Sequence, residues 1–238
     1  MTLALQGNQQ AQGTVRLRGE QGITLTESRT RAGRDLTLDS AGRITAQGGQ
    51  LSAGVRDDGV IQPGYGLTLT GAELMLGQAQ LAGDRVSLTA SGAVSQASGG
   101  AWQAGSALTL TGGQLTLDGA AGAQTVTVSG GRVSGAGRWQ ATGDLTLDGR
   151  ETVEWDGALL AGGGLTVSAG ALTSRGHAGG RDGQADGGHA GQPGHGERAA
   201  GDGADATAEQ RRHAVGGRDT GGADADGAGQ RRVAAVRW

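Results

Sequence analysis

Asp144, Asp148, Glu151, Glu154 and Asp156, with Arg150 among them, gather five carboxylates and a guanidinium into one short stretch. Acidic side chains beside a basic one are what cleavage of an acidic polysaccharide requires, because one group must take a proton and another return it. The same residues serve as a solvated surface. Asp148-Gly149 reads as a corner, and the others alternate outward along an extended chain. The surface reading is preferred, and no catalytic residue is assigned.

Four histidines, His177, His189, His195 and His213, stand 12, 6 and 18 residues apart. Those intervals fit neither one helix face nor a zinc-finger rule, so they are read as solvated bystanders and no metal site is assigned. The phrases GGRDGQADGG and GADADGAG superficially resemble calcium-binding nonapeptides. They lack the third glycine, the apolar position and the nine-residue period of that pattern, and no cofactor is expected. Trp102 and Trp139 could stack on sugar rings. They occupy the place that Ile61, Leu81 and Leu159 take in neighbouring repeats, which makes them core residues.

The elements that must position all of these recur along the chain. Leu36-Thr37-Leu38, Leu67-Thr68-Leu69, Leu108-Thr109-Leu110, Leu145-Thr146-Leu147 and Leu165-Thr166-Val167 are versions of one triplet. Val15-Arg16-Leu17, Val86-Ser87-Leu88 and Val126-Thr127-Val128 fit the same template. Successive copies are separated by 21, 31, 19, 22, 18, 19 and 20 residues. A fixed period near twenty is the mark of a solenoid. Within each triplet the outer residues share one face and the middle residue opposes them, as in a half-buried strand.

Two further apolar markers accompany each triplet. Ile44, Leu74, Val94, Leu115, Val133, Val153 and Leu172 follow it by a few residues; Ile61, Leu81, Trp102, Trp139 and Leu159 precede the next one. Three short strands per repeat are predicted, with glycine at the corners to supply positive φ. The step of 31 contains Leu51 to Gly59, whose Asp57-Asp58-Gly59 signals a turn, and an extruded loop is the preferred reading. Helix is a poor competitor, since no window sustains i, i+3, i+4 spacing. The fold class is therefore all-β: a right-handed parallel β-helix of roughly 20-residue coils. One coil buries too little to offset its ordering entropy, so the coils must stack.

Composition agrees. Of 238 residues 51 are glycine, phenylalanine and cysteine are absent, and the net charge is −3. All the basic side chains other than histidine are arginine. Without a basic run there is no electrostatic footprint for nucleic acid. No apolar stretch approaches the roughly 20 residues of a transmembrane helix. Met1-Thr2-Leu3-Ala4-Leu5 does not show the charged and then apolar regions of a secretory signal peptide, and the repeats begin at once. The expectation is an internal piece of a longer protein, or a truncated reading of one.

The repeat region is placed at 1–175. Residues 176–238 contain no Leu or Ile and only three Val. This tail is expected to be disordered, for want of apolar surface to bury, or to be an out-of-frame reading of further repeats. Reading the coding DNA decides between the two.

The phrases AGRDLTLDSAGRITAQGGQLSAG (32–54), GDLTLDG (143–149) and AGGGLTVSAGALTSRG (161–176) resemble the repeat region of filamentous haemagglutinins. These are large exoproteins of bacterial two-partner secretion, a group that includes contact-dependent inhibition toxins. The resemblance covers about residues 1–175. It implies a secreted, surface-displayed adhesin shaft, exported through an outer-membrane partner and meeting a receptor or glycan on host or bacterial cells. No binding residue is carried over, since the family's repeats have no motif-defined site. A β-helical polysaccharide-active enzyme and an autotransporter passenger are the alternatives.

Overall fold

The computed structural model describes residues 1–180 and the backbone of 182–187. The chain divides into two units, Met1–Glu197 and Arg198–Trp238, and the second lies wholly outside the described residues. So do most of the sequence expectations about the tail.

The described residues are all strand and turn, wound into a parallel β-solenoid of about nine turns. Each turn contributes one short segment to each of three stacked sheets. In the first sheet every triplet pairs in register with the next: Val15 with Leu36, Leu36 with Leu67, Leu67 with Val86 and Val86 with Leu108. The column continues through Val126 and Leu145 to Leu165. Two inward residues per turn, two positions apart, thus form continuous columns, and from Leu36 to Leu147 all of them are buried.

The second sheet runs from Leu3 and Ile23 through Ile44, Leu74, Val94, Leu115, Val133 and Val153 to Leu172. The third carries Thr30, Leu51, Leu81, Trp102, Ala121, Trp139 and Leu159 inward. Two residues beyond each of these lies a small one, as at Ala32, Ala53, Ala104, Ala123 and Ala141, all buried. The narrow column of alanines lets the third sheet close against the first.

One sequence expectation is corrected here. Ile61 does not join the third column; Leu51 fills that level, pairing with Thr30 on one side and Leu81 on the other. The extra residues of the long repeat come after the third-sheet strand Gln50–Ala53. They form a side loop in which Val55 and Ile61 make an antiparallel bridge. Arg31 holds the loop down, its Nε donating to the Val55 carbonyl at 3.0 Å while its guanidinium pairs with Asp57. The Gly64 N–H donates to the buried Asp84 carboxylate at 2.8 Å.

The ladder does not stop at residue 175. Strands His177–Gly179 and Asp182–Gly187 pair with the turn before them.

A second correction concerns the corner glycines. Among the described glycines only Gly7, Gly48, Gly54, Gly59, Gly64, Gly77 and Gly99 have positive φ. Between the second and third sheets the later turns use Gly119, Gly137, Gly157 and Gly176 without it. There the backbones approach so closely that a Cβ on Gly137 would stand 2.0 Å from the Gly119 carbonyl oxygen. The residue is chosen for its missing side chain, and conformational freedom plays no part.

Candidate functional site

The carboxylates that could have formed a catalytic group belong to a single turn and are spread around its perimeter. Asp144 precedes the first-sheet segment, Asp148 lies on its outward side, Glu151 follows it at the corner with Arg150, Glu154 faces out from the second sheet, and Asp156 sits at the next corner. Strand alternation and two intervening corners point them at different sides of the solenoid, so they share no cleft. Among the described residues no three acidic or histidine side chains are grouped to hold a metal.

Two of these residues have structural partners. The Glu151 carboxylate accepts from Arg132 Nε of the preceding turn at 2.8 Å. That hydrogen bond and the accompanying charge push the Arg132 guanidinium above its ordinary value. Asp144 Oδ1 accepts the Gly164 N–H of the following turn at 2.8 Å, as Asp35 Oδ1 accepts that of Gly66 at 2.9 Å. The aspartate before the triplet is a staple between turns at a corner where the ladder is interrupted. Asp144→Ala is expected to lower unfolding stability by about 1 kcal/mol. Glu154→Ala, at an exposed outward position, should stay within about 0.5 kcal/mol of the parent; urea unfolding followed by circular dichroism compares them.

His177 lies exposed on the strand His177–Gly179, and the other three histidines lie outside the described residues. Of the calcium-like phrases, the first runs through the strand Asp182–Gly187 and the second lies outside the described residues. Trp102 and Trp139 are fully buried, and Trp155, which the sequence reading did not single out, joins them from the second sheet. Gly135, its register partner in the turn before, leaves room for that indole.

The feature that the sequence reading missed lies on the outer corner between the second and third sheets of the first five turns. Each of those turns passes the corner through a left-handed residue: Gly7, Glu27, Gly48, Gly77 and Gly99. Glu27, at φ 47°, is the non-glycine member. A side chain there costs roughly 1–2 kcal/mol, which the neighbouring turns must sustain. The looped corners open a groove of about 620 Å³ lined by Asn8, Glu27, Arg29, Gln50, Gln78 and Gln80. Ser28 adjoins it, but its side chain is buried on the same side of the strand as Thr30 and Ala32. Gln50 Nε2 donates to Gln80 Oε1 at 3.1 Å. The available signal was the recurrence of glycine followed by amides, QGNQ at 6–9, QGGQ at 47–50 and GQAQ at 77–80, at one position in the repeat.

Three sheets closed around columns of aliphatic side chains, with polar corners and no shared cleft for the acidic residues, define a parallel β-solenoid repeat shaft. No protein-family model matches the chain, and no solved structure does. Over 148 residues it is 32% identical to tRNA nuclease CdiA of Yersinia mollaretii, a contact-dependent inhibition protein. The match takes in 62% of this chain and about 4% of that protein's length. The likeness to filamentous haemagglutinin-like repeats, read first from the Leu-Thr-Leu phrases, thus rests on both a sequence match and the fold.

Proposed function

We propose that this chain is a shaft segment of a secreted bacterial surface protein of the two-partner type. Its function is length, stiffness and display, and it has no catalytic step. The observation that supports this best is the in-register stacking of about nine turns on one aliphatic interior, together with a match of 148 residues of the chain to a CdiA. Turns rising about 4.8 Å each give the described residues a length near 40 Å, and repetition of the same unit extends such a rod without new packing. Export through an outer-membrane transporter and contact with a receptor on host or bacterial cells follow from the relationship to that group. The nuclease activity in the relative's name is said of that protein alone.

Antibodies raised against residues 1–180 test the reading on source cells with the partner transporter gene intact or deleted. Surface labelling and protease accessibility are expected in the first and lost in the second. Retention inside the cell in both would overturn it. No helix among the described residues is long and apolar enough to cross a membrane.

A further inference from the structure

We propose that the side loop between the strands Gln50–Ala53 and Gly66–Gly71 is a cleavage site for an arginine-directed protease, and that the severed chain stays assembled as a two-piece solenoid. Hydrolysis adds water across the Arg56–Asp57 amide, leaving a carboxylate on Arg56 and an amine on Asp57. The site is independent of the shaft reading and stands on the loop's own geometry.

A protease takes its substrate as an extended segment in its own cleft, so the residues around the cut must first be free of any sheet. Most arginines of the described residues are not. Arg16, Arg43, Arg85, Arg132 and Arg150 lie within paired strands, as do the others apart from Arg34, Arg56 and Arg175. Arg34 and Arg175 stand at corners within two residues of a strand on either side. Their N–H groups donate to the turn before, to the Gly13 carbonyl at 3.2 Å and the Trp155 carbonyl at 3.1 Å. Arg56 is different. It and the next four residues, through Val60, are all exposed, and the Asp57 side chain is 94% exposed. The backbone bonds at the tip are local, from the Arg56 N–H to the Val60 carbonyl and from the Gly59 N–H to the Arg56 carbonyl, each at 3.0 Å. Gly54 and Gly64 near the loop's two ends and Gly59 at its tip all have positive φ, so no side chain resists their rearrangement. The tether from Arg31 to Asp57 ends on a solvated carboxylate and is weak. The loop therefore opens locally while the stack stays folded.

The cut falls outside the sheets, and all three sheets bridge it. Leu36 pairs with Leu67 in the first, Ile44 with Leu74 in the second and Leu51 with Leu81 in the third. Each pair joins one piece to the other, and all six side chains are buried. Leu38 and Leu69 add a further buried pair across the same boundary. Cleavage removes a covalent link but none of these contacts, so the pieces 1–56 and 57–238 hold each other in place. What changes is the unfolded state. Two chains separate on melting where one did before, and stability becomes dependent on protein concentration.

The experiment is limited digestion of the purified 238-residue chain with trypsin, the products identified by intact mass. Cuts beyond residue 180 are recognised by mass and scored separately. Within residues 1–180 the first cut is expected after Arg56, at least tenfold faster than after Arg34 or Arg175. The two pieces should elute together from a sizing column in native buffer and apart in urea, and the cut protein should melt at a temperature that rises with its concentration. Arg56→Gln should slow the first cut within 1–180 at least tenfold with no change in melting temperature, whereas Arg34→Gln should leave its rate unaltered. A first cut at any other arginine of 1–180, a rate after Arg56 no faster than after Arg34, or pieces that part in native buffer would each overturn the proposal. A loop that resists the enzyme leaves the shaft reading standing, since export tests that reading separately.

Discussion

Trp139→Ala lowers the free energy of unfolding by about 3–5 kcal/mol, the loss expected when a buried indole leaves a cavity. Trp139 is fully buried in the third sheet and lies edge-on to Trp102, with ring centroids 5.9 Å apart at 70°, and to Trp155, at 6.1 Å and 84°. Such pairs add about 0.5–1.5 kcal/mol each beyond the area they bury. Ala121, in the turn between Trp102 and Trp139, is too small to collapse into the void. The indole N–H of Trp139 has no hydrogen-bond partner, so Trp139→Phe forfeits packing alone and should cost less than about 2 kcal/mol. Guanidinium unfolding followed by far-ultraviolet circular dichroism measures both. Turns in a solenoid contact only their neighbours, so amide exchange in the alanine variant should accelerate first around residues 101–161. A loss below 1 kcal/mol for the alanine variant would mean that the three rings are not packed as described.

Gly137→Ala is the second large effect, with an expected loss of about 3 kcal/mol, at the upper end for overpacking. The new methyl would stand 2.0 Å from the Gly119 carbonyl oxygen. The neighbours cannot yield cheaply. Gly157 and Gly176 each bring the same position to 1.9 Å from the carbonyl oxygen of the glycine before, and those carbonyls also hold the turns together. The Gly137 carbonyl accepts the Ala158 N–H at 3.0 Å, and that of Gly157 accepts the His177 N–H at 2.9 Å. Moving either breaks a bond between turns. The control is Gly13→Ala, where φ is not positive and an added methyl has nothing within 4 Å. It should be neutral or slightly stabilising, because alanine restricts the unfolded chain more than glycine does. If both variants melt alike, close approach is not why glycine fills the column.

The interior was readable in the sequence because period-two alternation carries it directly. Leu108-Thr109-Leu110 and its seven counterparts could be aligned by eye, and their register follows. Ile61 misled because IQPGYGLTL ends like the true repeats, although its first residue belongs to a loop. Sequence spacing cannot tell whether extra residues enter before or after a strand; only Leu51, paired on both sides, decides it. The groove left no burial pattern to read, since exposed amides look alike wherever they sit. Its signal lies in left-handed corners shared by successive turns, and a glutamate at one of them, Glu27, hides the series. Glycine was expected at the corners, but for φ; the approach of one carbonyl to the next is a property of the stack and appears in no single repeat. The acidic run dispersed because thirteen residues of strand and corner wrap most of a turn, whereas the same number in a helix would have lined up several on one side.

The equivalence of successive triplets gives this scaffold a modular inheritance. Val126 and Leu145 occupy the same place one turn apart, so excising residues 126–144 from the gene would rejoin the chain at a matching corner and leave the cross-section intact. Unequal recombination between copies therefore shortens or lengthens the shaft in whole steps. Reach can evolve quickly, while features spanning several unlike turns, such as the amide groove, are diluted or lost with each exchange and persist only under selection of their own.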